Sequence, residues 1–288
     1  MNPDIQTNPL QVISTGEIDQ FIILVNWYEE PVEVDSINTN ILMMTLTPKG
    51  FNANLLYNLE ERIMAIQHSP SRKSVLALTT DGRILELLSG QFQTKTNIDR
   101  FSNDMLVDAK REVIWIAHDG GIAAVSNTGT RYIEFGTEIN RLYRLNDDSL
   151  IAVGDKGLVL RLIDDEWQKV ASSPTNKRLV SAFQSQDGKV WICGWGGVLF
   201  QWDLKSSWKR IKTDKDYVYS VGQLKNDIYV CCSGGVWMLD NNELKRVRDN
   251  FHPTRCYTDL DRLIFMGGGK LIHFNGSDWA GGDFNTFS

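Results

Sequence analysis

Two neighbouring stretches decide the fold: LIAVGDKGLVLRLIDDEWQKV at residues 150–170 and VWICGWGGVLFQWDLKSSWKRI at residues 190–211. Each reads as a short apolar strand, a tight turn with glycine, a second apolar strand, a short polar loop and an aromatic residue. Glycine supplies the positive φ angles that tight hairpins require, and valine, isoleucine and tryptophan are typical of strands. The two stretches are therefore predicted to be equivalent hairpins of a repeat protein.

The same unit recurs at a regular spacing, with weaker copies that begin at Val75, Val113, Ile228 and Leu263. Successive turn glycines lie 34 to 40 residues apart, and a large apolar marker follows each glycine after 9 to 11 residues. The pairs are Gly82 and Phe92, Gly121 and Tyr132, Gly157 and Trp167, Gly197 and Trp208, Gly235 and Leu244, and Gly269 and Trp279. Further strand-like runs precede the units, for example at residues 141–145, which makes four strands per repeat, the blade of a β-propeller.

Six units occupy residues 61–288, and residues 1–60 have the length of one more. ILMMTLTPKG at 41–50 resembles the hairpin of this first unit, with Pro48, Lys49 and Gly50 as its turn. The sequence therefore predicts an all-β chain whose residues 1–288 form a single seven-bladed β-propeller domain. Six blades with an N-terminal extension is the alternative. LQVIS at 10–14 is a candidate to complete the last blade and so close the ring.

Two motifs resemble known propeller repeats. The first resembles the repeat of the propellers related to the photosystem II assembly factor, and the matching residues are Val153, Gly154, Gly157, Leu160, Asp165 and Trp167. SQDGKVW at 185–191 resembles the Asp-box of the sialidase-type (BNR) repeats, shortened by one residue. The resemblance implies the propeller fold, but the superfamily includes assembly factors, glycosidases and protein-binding modules, so it does not select a function.

Composition narrows the function classes. The net charge of −6 argues against general nucleic-acid binding, which needs a basic surface. It favours a basic partner, although the same charge also serves plain solubility. The N-terminus lacks the basic and apolar regions of a secretory signal, and FIILV at 21–25 is too short to span a bilayer. We therefore expect a cytoplasmic protein without a membrane partner.

No motif for catalysis or cofactor binding is apparent. The cysteines fall in predicted strands without paired spacing, so we expect reduced, buried side chains and no metal site; they are Cys193, Cys231, Cys232 and Cys256. GGGK at 267–270 lacks the helix of a phosphate loop and is interpreted as a hairpin. Six scattered arginines are interpreted as surface charge, which argues against sialidase chemistry: Arg141, Arg144, Arg161, Arg178, Arg210 and Arg255. We expect no small-molecule cofactor.

One rim of the propeller is the candidate binding surface. Trp195 is the notable residue, because it occupies a turn where the other copies carry aspartate, lysine, serine or glycine. It is interpreted as a contact residue, or as a residue that folds back over the channel mouth. Aromatic and arginine side chains dominate binding energy in protein interfaces. The candidate binding residues are Trp195, Arg178, Tyr217, Arg255, Lys156 and His118, of which His118 is alternatively a solvated turn residue.

The sequence thus favours a non-catalytic propeller that binds a protein partner. The expected form is a bacterial inhibitor of a partner enzyme, such as an immunity protein, or else an assembly scaffold. One alternative is a hydrolase or lyase that acts in the central channel, which a cluster of titratable residues would support. Another is a carbohydrate- or ligand-binding propeller, which equivalent pockets in several blades would support.

Overall fold

The computed structural model describes residues 5–15, 17, 19–29, 37–69, 74–170, 173–259 and 261–284. These residues form seven antiparallel sheets, each of four strands that are consecutive in sequence. The sheets are the blades of a seven-bladed β-propeller, as predicted.

The strands of the first four blades have the following bounds: β1 (Ile5–Ser14), β2 (Gln20–Glu29), β3 (Asn38–Thr47) and β4 (Gly50–Leu59); β5 (Ile63–Ser69), β6 (Ser74–Thr79), β7 (Arg83–Leu88) and β8 (Gln91–Asn97); β9 (Ser102–Asp108), β10 (Val113–His118), β11 (Gly121–Ser126) and β12 (Gly129–Glu134); β13 (Ile139–Arg144), β14 (Leu150–Gly154), β15 (Val159–Ile163) and β16 (Glu166–Lys169).

The last three blades comprise β17 (Leu179–Gln184), β18 (Val190–Gly194), β19 (Val198–Trp202) and β20 (Trp208–Arg210); β21 (Val218–Leu224), β22 (Asp227–Cys232), β23 (Gly235–Asp240) and β24 (Glu243–Arg248); and β25 (Arg255–Thr258), β26 (Leu263–Gly267), β27 (Lys270–Phe274) and β28 (Trp279–Asp283). Each of the six sequence markers lies on the fourth strand of a blade.

The burial of each strand follows its place in the sheet. Every residue of the second strands β14 and β18 is buried, whereas most residues of the fourth strands β8 and β12 are exposed. A strand covered on both faces needs a continuous apolar run, which explains sequences such as LIAVG in β14. The outer strands are mostly polar, or alternate between exposed and partly buried side chains, because one side of each strand meets solvent.

Glycine is required where the turns of the hairpins are tight. A Cβ atom on Gly157, whose φ is +70°, would lie 1.8 Å from the carbonyl oxygen of Thr175. Gly268 and Gly269, with φ of 55° and 69°, form the β26–β27 turn, so the interpretation of GGGK as a hairpin is confirmed. Pro48 and Lys49 form the β3–β4 turn, as predicted, whereas Gly50 is already the first residue of β4.

By contacts the chain divides into two compact units. Unit one comprises residues 1–63, 222–239 and 245–288, and unit two comprises residues 64–221 and 240–244. Within unit one the first and last blades pack against each other. The rings of Phe51 and Phe284 lie 5.4 Å apart, and Nε2 of His273 lies 3.2 Å from the carbonyl oxygen of Thr47.

The expectation that LQVIS completes the last blade is wrong. β1 pairs with β2 within the first blade. Val12 of β1 and Phe21 of β2 join the apolar cluster that contains Ile264 and Met266 of the last blade. The first and last blades are therefore joined by buried side chains rather than by an exchanged strand.

Within unit two, tryptophans and asparagines join successive blades. Trp167 of blade four is buried and meets Trp115 of blade three edge to face. Nδ2 of Asn103 donates to the carbonyl oxygen of Ile139 at 3.0 Å, and Nδ2 of Asn140 donates to that of Leu179 at 2.8 Å. The two asparagines occupy the second position of β9 and β13, so the same contact is repeated between blades.

The described residues contain no helix that is long and apolar enough to cross a membrane. Cys193, Cys231 and Cys232 are buried in β18 and β22, and Cys256 is half-buried in β25, as expected for small apolar side chains. In the described part of the chain no group of three or more His, Cys, Asp or Glu side chains is placed to hold a metal ion.

Candidate functional site

The candidate site begins at the β18–β19 turn, which places Trp195 at the rim. The N–H of Trp195 donates to the carbonyl oxygen of Arg178 at 2.9 Å. The N–H groups of Gly196 and Gly197 donate to the carbonyl oxygen of Asp216 at 2.7 and 3.1 Å. The two glycines allow this path because their φ angles are 68° and 66°. The turn is thus bonded to the entry segments of blades five and six, and the indole of Trp195 points outward, 45% exposed.

Tyrosines extend the aromatic part of the site. The rings of Trp195 and Tyr217 lie 5.6 Å apart at 89°, and Tyr217 stacks on Tyr219 at 5.9 Å. Tyr217 is 40% exposed. A backbone bridge joins Trp195 and Tyr217 directly. The two exposed rings therefore form one surface, whose geometry is set by both backbone and side-chain contacts.

Arg178 supports this surface with a network of polar contacts. Its guanidinium carbon lies 5.2 Å from the centre of the Trp195 ring. Nη2 donates to Oε1 of Glu138 at 3.1 Å and to Oδ1 of Asn140 at 2.7 Å, and Nε lies 3.3 Å from Oδ1 of Asp155. Asn140 in turn donates to Asp155 at 2.9 Å. With every partner half-buried, the arginine is held in one orientation against the indole.

The same backbone contact recurs in three successive blades. In each, the residue that follows the second strand donates its N–H to the carbonyl oxygen of the residue that precedes the first strand. The donor–acceptor pairs are Asp119 and Phe101 at 3.1 Å, Asp155 and Glu138 at 2.9 Å, and Trp195 and Arg178 at 2.9 Å. The rim of unit two is therefore built from equivalent positions, and its chemistry changes from blade to blade.

Sequence reasoning missed four residues of this rim: Phe101, Glu138, Asn140 and Tyr219. A signal was present, because Phe101, Glu138, Arg178 and Tyr217 each come directly before the first strand of a blade. Their spacing of 37 to 40 residues matches the repeat. Phe101 is 47% exposed, so it is a further aromatic side chain open to solvent at this rim.

Of the six predicted binding residues, the structure brings Arg178, Trp195 and Tyr217 into contact. Lys156 is exposed in the β14–β15 turn, beside Asp155, with a φ of 56°. Arg255 lies in unit one, half-buried at the start of β25, where Nη1 donates to the carbonyl oxygen of Thr254 at 3.2 Å.

The expectation that His118 faces solvent is wrong, because its side chain is fully buried. Nδ1 accepts the N–H of Gly120 at 3.1 Å, and the ring meets Tyr132 at 6.1 Å. Burial lowers the pKa of His118 and outweighs the nearby carboxylates of Asp119 and Glu134. His118 therefore stabilises the turn and is not available to a partner.

The interpretation of the arginines as surface charge is wrong for several of them. Nη2 of Arg144 donates to the carbonyl oxygen of Val107 at 2.7 Å, and Nη1 of Arg161 donates to that of Leu204 at 3.3 Å. With the network of Arg178, these bonds join neighbouring blades. A guanidinium group has five donors and a long stem, so it reaches carbonyl groups that a sequence pattern does not reveal.

The Asp-box-like segment closes the opposite end of blade five. In the β17–β18 turn, Oγ of Ser185 donates to Oδ1 of Asp187 at 2.5 Å, and Nε1 of Trp191 donates to Oγ of Ser185 at 3.1 Å. Burial alone would raise the pKa of Asp187, but its bonds to Ser185 and Lys189 together lower the pKa. The segment therefore stabilises a turn at the far end of β18 from Trp195.

Comparison with known proteins gives one curated relative and several structures. The chain is similar to the Immune protein Tsi7 of Pseudomonas aeruginosa, with 27% identity over 137 residues. The match spans 46% of this chain and 44% of the relative, so less than half of either protein is aligned. No family model matches the chain.

The solved structures show the fold alone, because their sequence identities are low. The WD40 β-propeller domain of Doa1 has a TM-score of 0.67 and 10% identity, with 94% of this chain and 97% of that chain covered. The extracellular domain of a hybrid two-component system of B. thetaiotaomicron has a TM-score of 0.66 and 14% identity, with 91% and 37% covered. The computationally designed Ika8 protein has a TM-score of 0.64 and 10% identity, with 95% and 98% covered. The chain is thus a seven-bladed β-propeller that resembles an immune protein over part of its length.

Proposed function

We propose that this propeller binds and neutralises a partner protein, as an immunity-type inhibitor, and that it acts without catalysis. The observation that carries the proposal is the exposed cluster of Arg178, Trp195 and Tyr217 on the rim of unit two. The similarity to an immune protein supports an inhibitor over an assembly scaffold, which is the other form of a protein-binding propeller.

We also propose that the protein is bacterial and cytoplasmic and that residues 1–288 form one domain. We propose further that its repeats belong to the photosystem II assembly factor and BNR type.

The physical basis is preorganisation. A large exposed aromatic ring costs hydration free energy in the free protein, and that free energy is recovered when a partner covers the ring. Trp195 is already fixed by its backbone bonds and by Arg178, so little conformational entropy is lost on binding. Tryptophan, tyrosine and arginine are also the residues that most often dominate protein interfaces.

The charge of the protein supports a basic partner. The net charge is −6, and two carboxylates, Glu138 and Asp155, flank the single guanidinium of Arg178. Lys156 and Lys177 are exposed cations beside them. Attraction between an acidic protein and a basic partner would speed association, and it would weaken as the salt concentration rises.

The test is to purify the partner with the tagged chain from the native host and to titrate it by calorimetry. Trp195→Ala should weaken the affinity about thirtyfold or more, which corresponds to about 2 kcal/mol. Leu88→Ala is the matched control, because Leu88 is equally exposed at 45% but lies at the opposite end of its hairpin. Unchanged affinity in Trp195→Ala would place the site elsewhere. A loss of affinity that accompanies a loss of folding would show a structural role for Trp195.

A further inference from the structure

The outer strand of blade six, β24, has features that the binding rim does not use. It is the last strand of its sheet, so no described strand pairs with its outer edge. Its six residues, ELKRVR, are mostly exposed and contain no proline. The outer strands β16 and β20 have only four and three residues, but β4, β8 and β12 are as long as β24 or longer, so what sets β24 apart is its cationic sequence. An exposed edge strand presents unpaired N–H and C=O groups that another extended chain can bond.

Two arginines on β24 are held against indole rings. The guanidinium carbon of Arg246 lies 5.7 Å from the centre of the Trp237 ring, and that of Arg248 lies 5.3 Å from the centre of the Trp279 ring. Among the described residues neither arginine forms an ion pair with a carboxylate. Stacking on an aromatic face orients a guanidinium group and leaves the donors along its edge available to a carboxylate.

The spacing of these arginines suits an extended ligand. Residues two apart on a strand point to the same face, so Arg246 and Arg248 lie about 7 Å apart along β24. Acidic side chains at alternate positions of an added strand would have the same spacing. The arginines border a groove of about 480 Å³ that Lys270 also lines, with Asp249 as the acidic residue of its lining. Lys270 forms an ion pair with Asp283 at 3.6 Å, so Arg246 and Arg248 are the cations of this groove that no described carboxylate pairs, on a protein whose net charge is negative.

We propose that β24 binds an extended acidic peptide segment of a protein, added to the sheet as a fifth strand. Backbone bonds to the edge would supply affinity, and carboxylates at alternate positions would bond Arg246 and Arg248. The same cations would repel a second copy of β24, so the edge would discriminate against self-association. Two such arginines on an acidic protein are too few for the basic stripe that nucleic acid requires. The groove residues belong to unit one, whereas the Trp195 site belongs to unit two.

The probe is a synthetic peptide of four Thr-Glu repeats, titrated against the full chain by fluorescence anisotropy. Arg246→Glu with Arg248→Glu should weaken binding at least tenfold. The control is Lys209→Glu with Arg210→Glu on the outer strand β20, which changes the net charge equally and should leave binding unchanged. A peptide of four Thr-Lys repeats should not bind. Arg248→Gln serves as a second variant if the double charge reversal prevents folding.

Four outcomes would overturn the proposal. The first is that the unaltered protein shows no saturable binding at millimolar peptide. The second is that both double variants weaken binding equally, which would show that the overall charge of the protein, and not β24, attracts the peptide. Undiminished binding of a peptide with alternate N-methylated backbones would exclude strand addition. Equally tight binding of a single-stranded oligonucleotide of the same charge would indicate a general anion site. None of these results affects the proposed function, which is tested through Trp195.

Discussion

Two tryptophans in adjacent blades have the same ring geometry and opposite surroundings. Trp167 meets Trp115 with ring centres 5.6 Å apart at 89°, and Trp195 meets Tyr217 with the same separation and angle. Trp167 is 6% exposed, whereas Trp195 is 45% exposed. Because edge-to-face contact is common to both pairs, burial alone separates a residue that stabilises the fold from one that is available to a partner.

Replacement of the buried tryptophan should have the largest effect on stability. Trp167→Ala should lower the free energy of unfolding by ~3–5 kcal/mol, because it removes a large buried aromatic side chain between blades three and four. Trp167→Phe should cost less than half of that, because it retains a ring and removes an indole N–H that has no acceptor among the described residues. Chemical denaturation measures both values.

Chemical denaturation of a Trp195 variant tests the comparison between the buried and the exposed tryptophan. Trp195→Ala should change the free energy of unfolding by less than ~1 kcal/mol, since an exposed side chain loses little burial. Equal losses of stability in Trp167→Ala and Trp195→Ala would remove the distinction between the two sites. Scanning calorimetry of the unaltered chain should show one transition if residues 1–288 form one domain.

Replacement of Arg178, which supports Trp195, should lower the stability by an intermediate amount. Arg178→Ala should lower the free energy of unfolding by about 1 kcal/mol, because Glu138 and Asp155 lose their shared cation at a half-buried site. Arg178→Lys should recover much of this stability, but only part of the partner affinity, because lysine lacks the planar group that faces the indole.

Arg210→Ala is the control, because Arg210 is exposed on β20 and should contribute little to stability. Thermal denaturation and calorimetric titration of the partner give the two readouts. If Arg178→Lys restored both stability and affinity completely, the orientation of Trp195 would not depend on the guanidinium group.

Asp187, in the turn at the other end of β18 from Trp195, should have the smallest effect on stability. The pKa of Asp187 is lowered, so its ionised form stabilises the turn above about pH 4, and this contribution is lost as the pH falls through the lowered pKa. Asp187→Asn should therefore lower the free energy of unfolding at pH 7 by less than ~1 kcal/mol, and the difference from the unaltered protein should be smaller at pH 3, below the ordinary aspartate pKa. Denaturation at both pH values measures the difference. Partner affinity at pH 7 should not change, and a change would show that the two ends of β18 are coupled.

The repeat markers predicted the hairpins well, because a tight turn and the strands beside it depend on neighbouring residues. Gly157 and Trp167 lie in the turn and outer strand that the pattern assigned to them. His118 was placed wrongly because the pattern gave the position of the turn but not the direction of the ring, which is fully buried. The closure of LQVIS onto the last blade was wrong because pairing between distant strands depends on which faces become buried.

The sequence by itself determined the class of fold and the positions of the hairpin turns and outer-strand markers in six repeats, and the structure then decided between six and seven blades. The sequence did so because periodic apolar strands and glycine turns are local properties that recur every 34 to 40 residues. Only the tertiary structure decided that Glu138, Asn140 and Asp155 of one blade hold Arg178 of the next against Trp195. Such contacts join residues from successive repeats, and they depend on the packing of whole blades, which no local pattern specifies.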